Sequence, residues 1–378
     1  MMEIKNKIDC CGCQACYNIC PQNAIEMQED EKGFKYPKID KEKCIDCGLC
    51  NKVCPVINNK SIKNEPKAYA AYCKNEEIRK NSSSGGIFTL IATQIIDEGG
   101  VVFGASFDEN FNIKHIKIEE KEGLQKLRGS KYVQSNIGET FKQAKKYLED
   151  NRKVLFTGTP CQIEGFRCYL QKEYENLYLQ DIICHGVPSP KVWNKYKEYR
   201  KNKDKEEPKK INFRNKKDGW SRYCLLFDYK SREYKNTPSK DLYLQMFLQD
   251  LSLRDSCYDC KFKKFNRLSD ITLADFWGID NILPEMNDNK GTSLLIINST
   301  KGQKLFDKIK EETIFKEVNL KEAIKYNPSM IHSVKYNAKR DSFFEELDNT
   351  SFDKIAKKYL KKANFFKKFI IKLLSIIK

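Results

Sequence analysis

The chain has 378 residues, 40% of them hydrophobic, a formal charge of +17 and sixteen cysteines. A chain of this size buries one or two ordinary cores, which excludes the short disulfide-stapled class. Met1 to Asp9 alternates charge without the apolar segment of a secretory leader, so the expectation is a cytoplasmic protein whose reduced cysteines are metal ligands.

The first element in chain order is CCGCQACYNICP. Cys10, Cys13, Cys16 and Cys20 form a C-x2-C-x2-C-x3-C run closed by Pro21, and Cys44, Cys47, Cys50 and Cys54 repeat it with Pro55. A [4Fe–4S] cube takes four thiolates. One tight loop supplies three, and in two-cluster ferredoxins the last cysteine of each run serves the other cluster. The spacing therefore predicts Cys10, Cys13 and Cys16 with Cys54, and Cys44, Cys47 and Cys50 with Cys20. Paired zinc sites normally use two CxxC knuckles instead. Cys11 is the surplus thiol, read as a small packed residue. Residues 1–58 are thus expected to be a two-[4Fe–4S] ferredoxin-like domain, and a neutral one, since residues 1–60 hold nine lysines against nine acids.

A polar linker, NNKSIKNEPK, follows over residues 58–67. Strands are expected at AYAAYC, VVFGASF, NIKHIKI, KVLFTGTPC, LYLQDIICHG, DITLADFWG and TSLLIINS. SSSGGIFTLIATQIIDEGG, residues 82–100, predicts a helix capped by Ser82 to Ser84 and stopped by Gly99 and Gly100. This alternation implies an α+β fold with α/β character: a larger mixed domain over residues 67–330 and a helical basic tail over 331–378. Several of the strands end in loops that hold unusual residues. Cys161 and Cys184 follow strands, and Cys257 and Cys260 form a CxxC. Their spacing leaves zinc, a redox dithiol or no role open for the CxxC, and buried thiols open for Cys161 and Cys184. Cys73, Cys168 and Cys224 read as packing.

Residues 354–378 carry nine lysines and no acid. Their last part, KKANFFKKFIIKLLSIIK, predicts a cationic amphipathic helix, too interrupted by lysine to span a bilayer and suited to peripheral contact with an anionic membrane. Docking on a partner or on the chain's own core is the competing reading. Excess charge gathered at one end disfavours nucleic acid as a partner.

The motifs NSSSGGIFTLIA, LRGSKYVQS, LFTGTPCQIEGFRCYL, DIICHGVPSPKVW, FRNKKDGW, LRDSCYDCKFK, RLSDITLADFWGI and KGTSLLIIN, in that order, resemble the beta-subunit family of coenzyme F420 hydrogenases and dehydrogenases. The resemblance covers residues 66 to 300, with Ala274 where similar sequences usually have Gly. It implies an iron–sulfur flavoprotein with FAD beside a cluster, so Cys161, Cys184, Cys257 and Cys260 would ligate a third [4Fe–4S] cluster. It also implies a redox partner protein or ferredoxin-like donor and a deazaflavin-like or other small organic acceptor. A lipid-linked or surface-polysaccharide substrate is one option. The competing function is a non-catalytic electron-transfer subunit.

The residues give the flavin some footing of their own. Ser83, Ser84, Gly85 and Gly86 would open a helix whose free N–H groups suit a pyrophosphate, with a plain cap as the alternative. Arg128, Ser130 and Lys131 would neutralise phosphates or a reduced ring, or else form a solvated turn. Thr157, Gly158 and Thr159 end a strand where α/β folds place ligands. His185 and Asp275 are the candidate catalytic groups, the first beside Cys184 and the second beside Trp277, each with a structural alternative. Arg214, Lys216 and Trp220 would receive an anionic planar acceptor, or form a basic loop.

Overall fold

The structure, a computed structural model, describes residues 6–361. The N-terminal module is a hairpin of β1 (Ile25–Glu29) and β2 (Lys35–Ile39) with the short helices Ala15–Ile19 and Leu49–Lys52. After it comes an eight-stranded mixed sheet built from β3 (Lys67–Cys73), β4 (Val101–Phe107), β5 (Ile113–Ile118), β6 (Val154–Thr157), β7 (Leu177–Ile182), β11 (Ile271–Asp275), β12 (Ser293–Ile297) and β13 (Thr313–Val318). Their order is β13-β3-β12-β11-β7-β6-β4-β5, and β4, β6, β7 and β11 run parallel in the middle. β8 (Lys210–Asn215), β9 (Cys224–Asp228) and β10 (Glu233–Asn236) make a separate antiparallel sheet.

The central strands are near-continuous apolar runs because both of their faces are covered. Val102, Leu155 and Leu273 face the helices Ile87–Asp97 and Thr300–Ile309. Val101, Phe103, Val154 and Phe156 face the helices Thr140–Glu149 and Pro160–Leu170. On that second face Phe156 stacks on Phe166 with ring centroids 4.3 Å apart. Cys11, Cys13, Ala15 and Val53 of the N-terminal module join the same apolar cluster. The module is therefore packed on the sheet's cover rather than strung beside it.

Every strand expected from the alternation forms. The helix at residues 82–100 does not begin where the serines suggested. It spans Ile87–Asp97, and Gly86 stands at its N-cap with φ +87 and no side-chain cap. Ser82 to Ser84 instead form a turn in which Ser82 Oγ donates to Ile78 O and Ser84 Oγ to Thr292 O. Gly85 is pressed onto the sheet, where a Cβ would sit 2.4 Å from Ala71 O. The loop's shape is fixed by strand contact, so its serines are not free to cap the helix.

The stretch expected to be a basic tail is part of the body as far as it is described. The helices Arg340–Glu346 and Phe352–Tyr359 bury Phe343, Phe344, Phe352, Ile355 and Tyr359 in the core around Trp193. The predicted amphipathic helix at the end of the chain lies outside the described residues. Among the described residues no helix is long and apolar enough to cross a membrane.

Candidate functional site

The two N-terminal cysteine runs share one backbone device. Gly12 and Gln14 in the first run and Asp46 and Gly48 in the second all have positive φ, between +51 and +70. Left-handed residues at the same two offsets curl each loop so that three thiols face one side. Cys10, Cys13, Cys16 and Cys54 are all buried. Burial first, and then the charges of Cys10 and Cys54, push the Cys16 thiol far above its usual range. Cys20, the last of the first run, instead lines a small apolar hollow with Cys44, Cys47 and Cys50. Cys47 is exposed at the surface.

A third group of thiols forms from distant segments. Cys161 lies in the first turn of the helix Pro160–Leu170, which opens with a capping box between Thr159 and Gln162. Cys184 follows β7, and Cys257 closes the single turn Asp255–Cys257. Val187 N donates to Cys257 Sγ at 3.4 Å, which ties the two loops together. Burial, and next the charges of Cys257, Cys161 and Cys260, raise the Cys184 thiol well above its ordinary value. Burial likewise pushes Cys257 up to about 12. Thiols so placed must release protons to take a metal, and they mutually resist doing so without one. Among the described residues no three Cys, His, Asp or Glu side chains converge tightly enough to hold a single ion. Cys11 is packed, as its apolar context suggested. It also lies within hydrogen-bonding reach of both Cys13 and Cys161, a position its spacing did not reveal.

At the C-terminal ends of the parallel strands lies a cleft of about 550 Å³. It brings together Ser83, Ser84, Gly86, Arg128, Ser130, Lys131, Thr157, Gly158, Thr159, Cys184, His185 and Asp275. Gly85 does not line it, being held under the strands. This is the position at which open α/β sheets receive ligands.

Inside the cleft many of these groups are already occupied. Ser83 Oγ accepts from Ser130 N and from Ser130 Oγ, at 2.8 and 3.0 Å. Lys131 Nζ donates to the carbonyls of Leu127, Arg128 and Gly129, and burial lowers its pKa to about 7. Lys131 therefore braces its own turn instead of presenting a fixed positive charge. Thr157 Oγ1 donates to Phe103 O, and Thr159 belongs to the cap. Arg128 differs: its Nε donates to Thr89 Oγ1 at 3.1 Å, and no carboxylate forms an ion pair with it among the described residues. It is the free positive charge of this wall.

The opposite wall is aromatic and charged. Arg214 Nη2 and Trp220 Nε1 both donate to Asp275 Oδ1, at 3.0 and 2.8 Å. Trp220 stacks on Trp277, with centroids 5.1 Å apart and planes 6° apart. Asp275 is thus the counter-ion that positions Arg214. Lys216, expected to meet an acceptor, donates to the carbonyls of Arg79, Ser84 and Lys290 and holds the serine loop. His185 Nε2 donates to Asp250 Oδ1 at 2.7 Å, which fixes the orientation of its ring. Two buried polar atoms of the lining have no partner, Gln180 Oε1 and Arg214 Nε. With Arg128 and Arg214 as its cations and Tyr223 and Trp277 as its rings, the cleft fits a ligand that is part aromatic and part anionic.

Sequence reasoning missed His115, which is fully buried in the cleft floor. Its Nδ1 accepts from Ser135 Oγ at 2.7 Å, and its Nε2 donates to Thr157 O at 2.9 Å. Burial, only partly opposed by the Thr157 carbonyl, depresses its pKa to about 4. The unfolded chain therefore binds more protons than the folded one between pH 6.5 and about 4, and stability falls as pH drops through that window. The expected loss approaches about 3 kcal/mol from this residue alone. The urea midpoint of anaerobic protein at pH 7 and pH 4.5 checks it, and His115→Gln should flatten the slope. An equal slope in both proteins contradicts the assignment.

Comparison with known proteins follows the same outline. Residues 151–323 match the C-terminal domain model of the coenzyme F420 hydrogenase/dehydrogenase beta subunit, and residues 68–142 match its N-terminal domain model. Residues 9–58 match a 4Fe-4S dicluster domain. The chain is similar to the coenzyme F420-dependent sulfite reductase of Methanocaldococcus jannaschii, 27% identical over 194 residues, covering 49% of this chain and 29% of that one. It is similar to the uncharacterized protein MJ1349 of the same organism, 27% identical over 209 residues, covering 46% and 56%. The chain thus spans less than two thirds of the length of these curated relatives. A solved chain of the F420-reducing [NiFe] hydrogenase complex from Methanosarcina barkeri aligns at a TM-score of 0.49 and 15% identity, over 76% of this chain and 94% of that one.

Proposed function

The chain belongs to the coenzyme F420 hydrogenase/dehydrogenase beta-subunit family and is an iron–sulfur redox protein. On that premise we propose that it is a flavin-dependent oxidoreductase that passes electrons along three cysteine-held clusters to an organic acceptor. The observation that carries this reading is the sequence of thiol groups leading inward. Cys20, Cys44, Cys47 and Cys50 lie toward the surface, where a redox partner protein would exchange electrons. Cys10, Cys13, Cys16 and Cys54 are buried behind them. Cys161, Cys184, Cys257 and Cys260 come last, and Cys184 lines the cleft.

FAD, when bound in the cleft, would supply the conversion between single-electron and hydride chemistry. The chain's own residues bind and orient. Arg128 meets an anionic group such as a phosphate, beside the backbone of Ser83 to Gly86. Arg214, held by Asp275, supplies positive charge to the cleft wall. Trp277 and Tyr223 offer flat surfaces to a ring, with the Arg214 guanidinium 3.7 Å from the Tyr223 centroid. His185 is the group placed to hold or deliver a proton at the cleft rim, its ring oriented by Asp250. The acceptor is a small organic molecule of deazaflavin-like chemistry.

Anaerobic purification with iron and flavin analysis tests this reading. The expected result is about twelve irons per chain, for three four-iron clusters, with one equivalent of FAD. Protein that binds iron but takes up no flavin from solution overturns the enzyme reading in favour of an electron-transfer subunit.

A further inference from the structure

Arg254 is fully buried, 0% exposed, and among the described residues it forms no ion pair with a carboxylate. A guanidinium withdrawn from water without an opposing charge is costly, so a buried one normally has a counter-ion. Its neighbour Asp255 does not provide it, being paired with Arg340 at 2.7 Å and with Lys32 at 3.7 Å. The acceptors of Arg254 are all neutral. Nε donates to Cys10 O at 2.7 Å, Nη1 to Gln134 Oε1 at 3.0 Å and Nη2 to Lys35 O at 3.1 Å. The guanidinium also lies 4.1 Å from the Tyr36 ring centroid.

The position of Arg254 in the chain and the position of its charge belong to different parts of the protein. Its backbone is in the loop of the third thiol group, where its N–H donates to Val187 O and its carbonyl accepts from Cys257 N. Its side chain reaches into the N-terminal module and lies under the first cysteine loop. A Cβ on Gly12 would stand 2.9 Å from Arg254 Nη1 and 2.7 Å from Gln134 Nε2, so the loop closes directly on the cation. Cys10 and Cys11 of the first group, and Cys257 and Cys161 of the third, all lie near enough to interact with its charge. The two thiol groups share a wall as well: Cys11 touches both Cys13 and Cys161, and a Cβ on Gly165 would stand 2.8 Å from Cys13 Sγ.

We propose that Arg254 is the shared counter-ion of two clusters, the one held by Cys10, Cys13, Cys16 and Cys54 and the one held by Cys161, Cys184, Cys257 and Cys260. A four-thiolate [4Fe–4S] cluster is anionic and gains one negative charge on reduction. A fixed cation between two of them therefore raises both reduction potentials together. One electron leaves one cluster and enters the other, with no proton or bond change required. The proposal rests on the third cluster of the function proposed above.

The test is an anaerobic redox titration followed by electron paramagnetic resonance, with iron analysis on each sample. Arg254→Met should weaken one-electron reduction of both flanking clusters about tenfold, or about 59 mV. Arg254→Lys should stay near the parent, because it keeps the charge. The surface cluster of Cys20, Cys44, Cys47 and Cys50 should be unchanged in every variant and serves as the internal reference. Gln134→Glu gives a second approach that keeps Arg254 in place and sets a carboxylate against it; the same two potentials should fall. A shift in one cluster alone, a shift in all three, or no shift in Gln134→Glu overturns the shared counter-ion. If the parent protein holds only about eight irons, the third-cluster reading itself has failed, independently of any variant.

Discussion

Replacing Cys257 and Cys260 together by serine is expected to remove about four irons per chain and leave about eight. The resonance signals of the N-terminal clusters should persist. Three facts make this the most informative substitution. The two residues come from one short loop, so the change alters none of the eight cysteines of the two N-terminal runs. Cys257 N donates to Arg254 O at 2.9 Å, Arg254 N donates to Val187 O at 3.0 Å, and Cys260 N donates to Ser333 Oγ at 2.9 Å, none of them through sulfur. The loop therefore keeps its own hydrogen bonds when the sulfurs are lost. Finally, the cleft lies directly beyond Cys184. Bound flavin should then remain present but no longer be reduced by a donor that enters at Cys47. Iron unchanged at the parent level would mean that these thiols do not hold a cluster. Loss of all twelve would mean that the module's fold depends on them, and a Cys184→Ser variant would separate the two effects.

The second large effect is expected at Asp275. Arg214 is 2% exposed and Asp275 15% exposed. Burial opposes the charge of Arg214, and Asp275 restores it. Asp275→Ala leaves a buried guanidinium without its partner, a change that typically costs about 3–5 kcal/mol. Trp220 Nε1 loses the same acceptor, which loosens its stack on Trp277. Asp275→Asn retains an acceptor oxygen for Trp220 but not the charge, so its cost should be smaller. Denaturant midpoints of the three proteins, measured anaerobically, check the order. If Asp275→Ala unfolds at the parent midpoint, the pair is not a structural one and Asp275 regains its claim as a catalytic acid.

What the sequence made legible depended on how local the cause was. The two cysteine runs could be read because their ligands and their left-handed turns sit within a few residues of one another. The parallel strands could be read because burial on both faces leaves long apolar runs. The separate sheet of β8, β9 and β10 could not, because KINFRN and EYKN look like the basic loop around them. They are held by Trp193, on which Phe213 of β8 and Phe227 of β9 pack. The engagement of Lys131 and Lys216 was hidden for a related reason. A lysine looks solvated in sequence until the fold supplies three carbonyls at its head. His115 alternates correctly within a strand, and nothing in IKHIKI says that its face turns inward onto Ser135. Arg254 was seen only as part of a motif, since its acceptors are drawn from Cys10, Lys35 and Gln134.

The stretch between the N-terminal module and the sheet is fastened along its length. Asn59 Nδ2 donates to Lys261 O, Asn64 Nδ2 to Asn298 O, and Lys264 Nζ to Lys60 O, at 3.1, 2.9 and 2.7 Å. Tunnelling between redox centres decays exponentially with their separation. A swinging tether would make each transfer wait for a favourable encounter, whereas this clasped one holds the hop length constant. For the chain of clusters proposed above, internal transfer would be ungated, and the pace of turnover would be left to events at the protein's two ends.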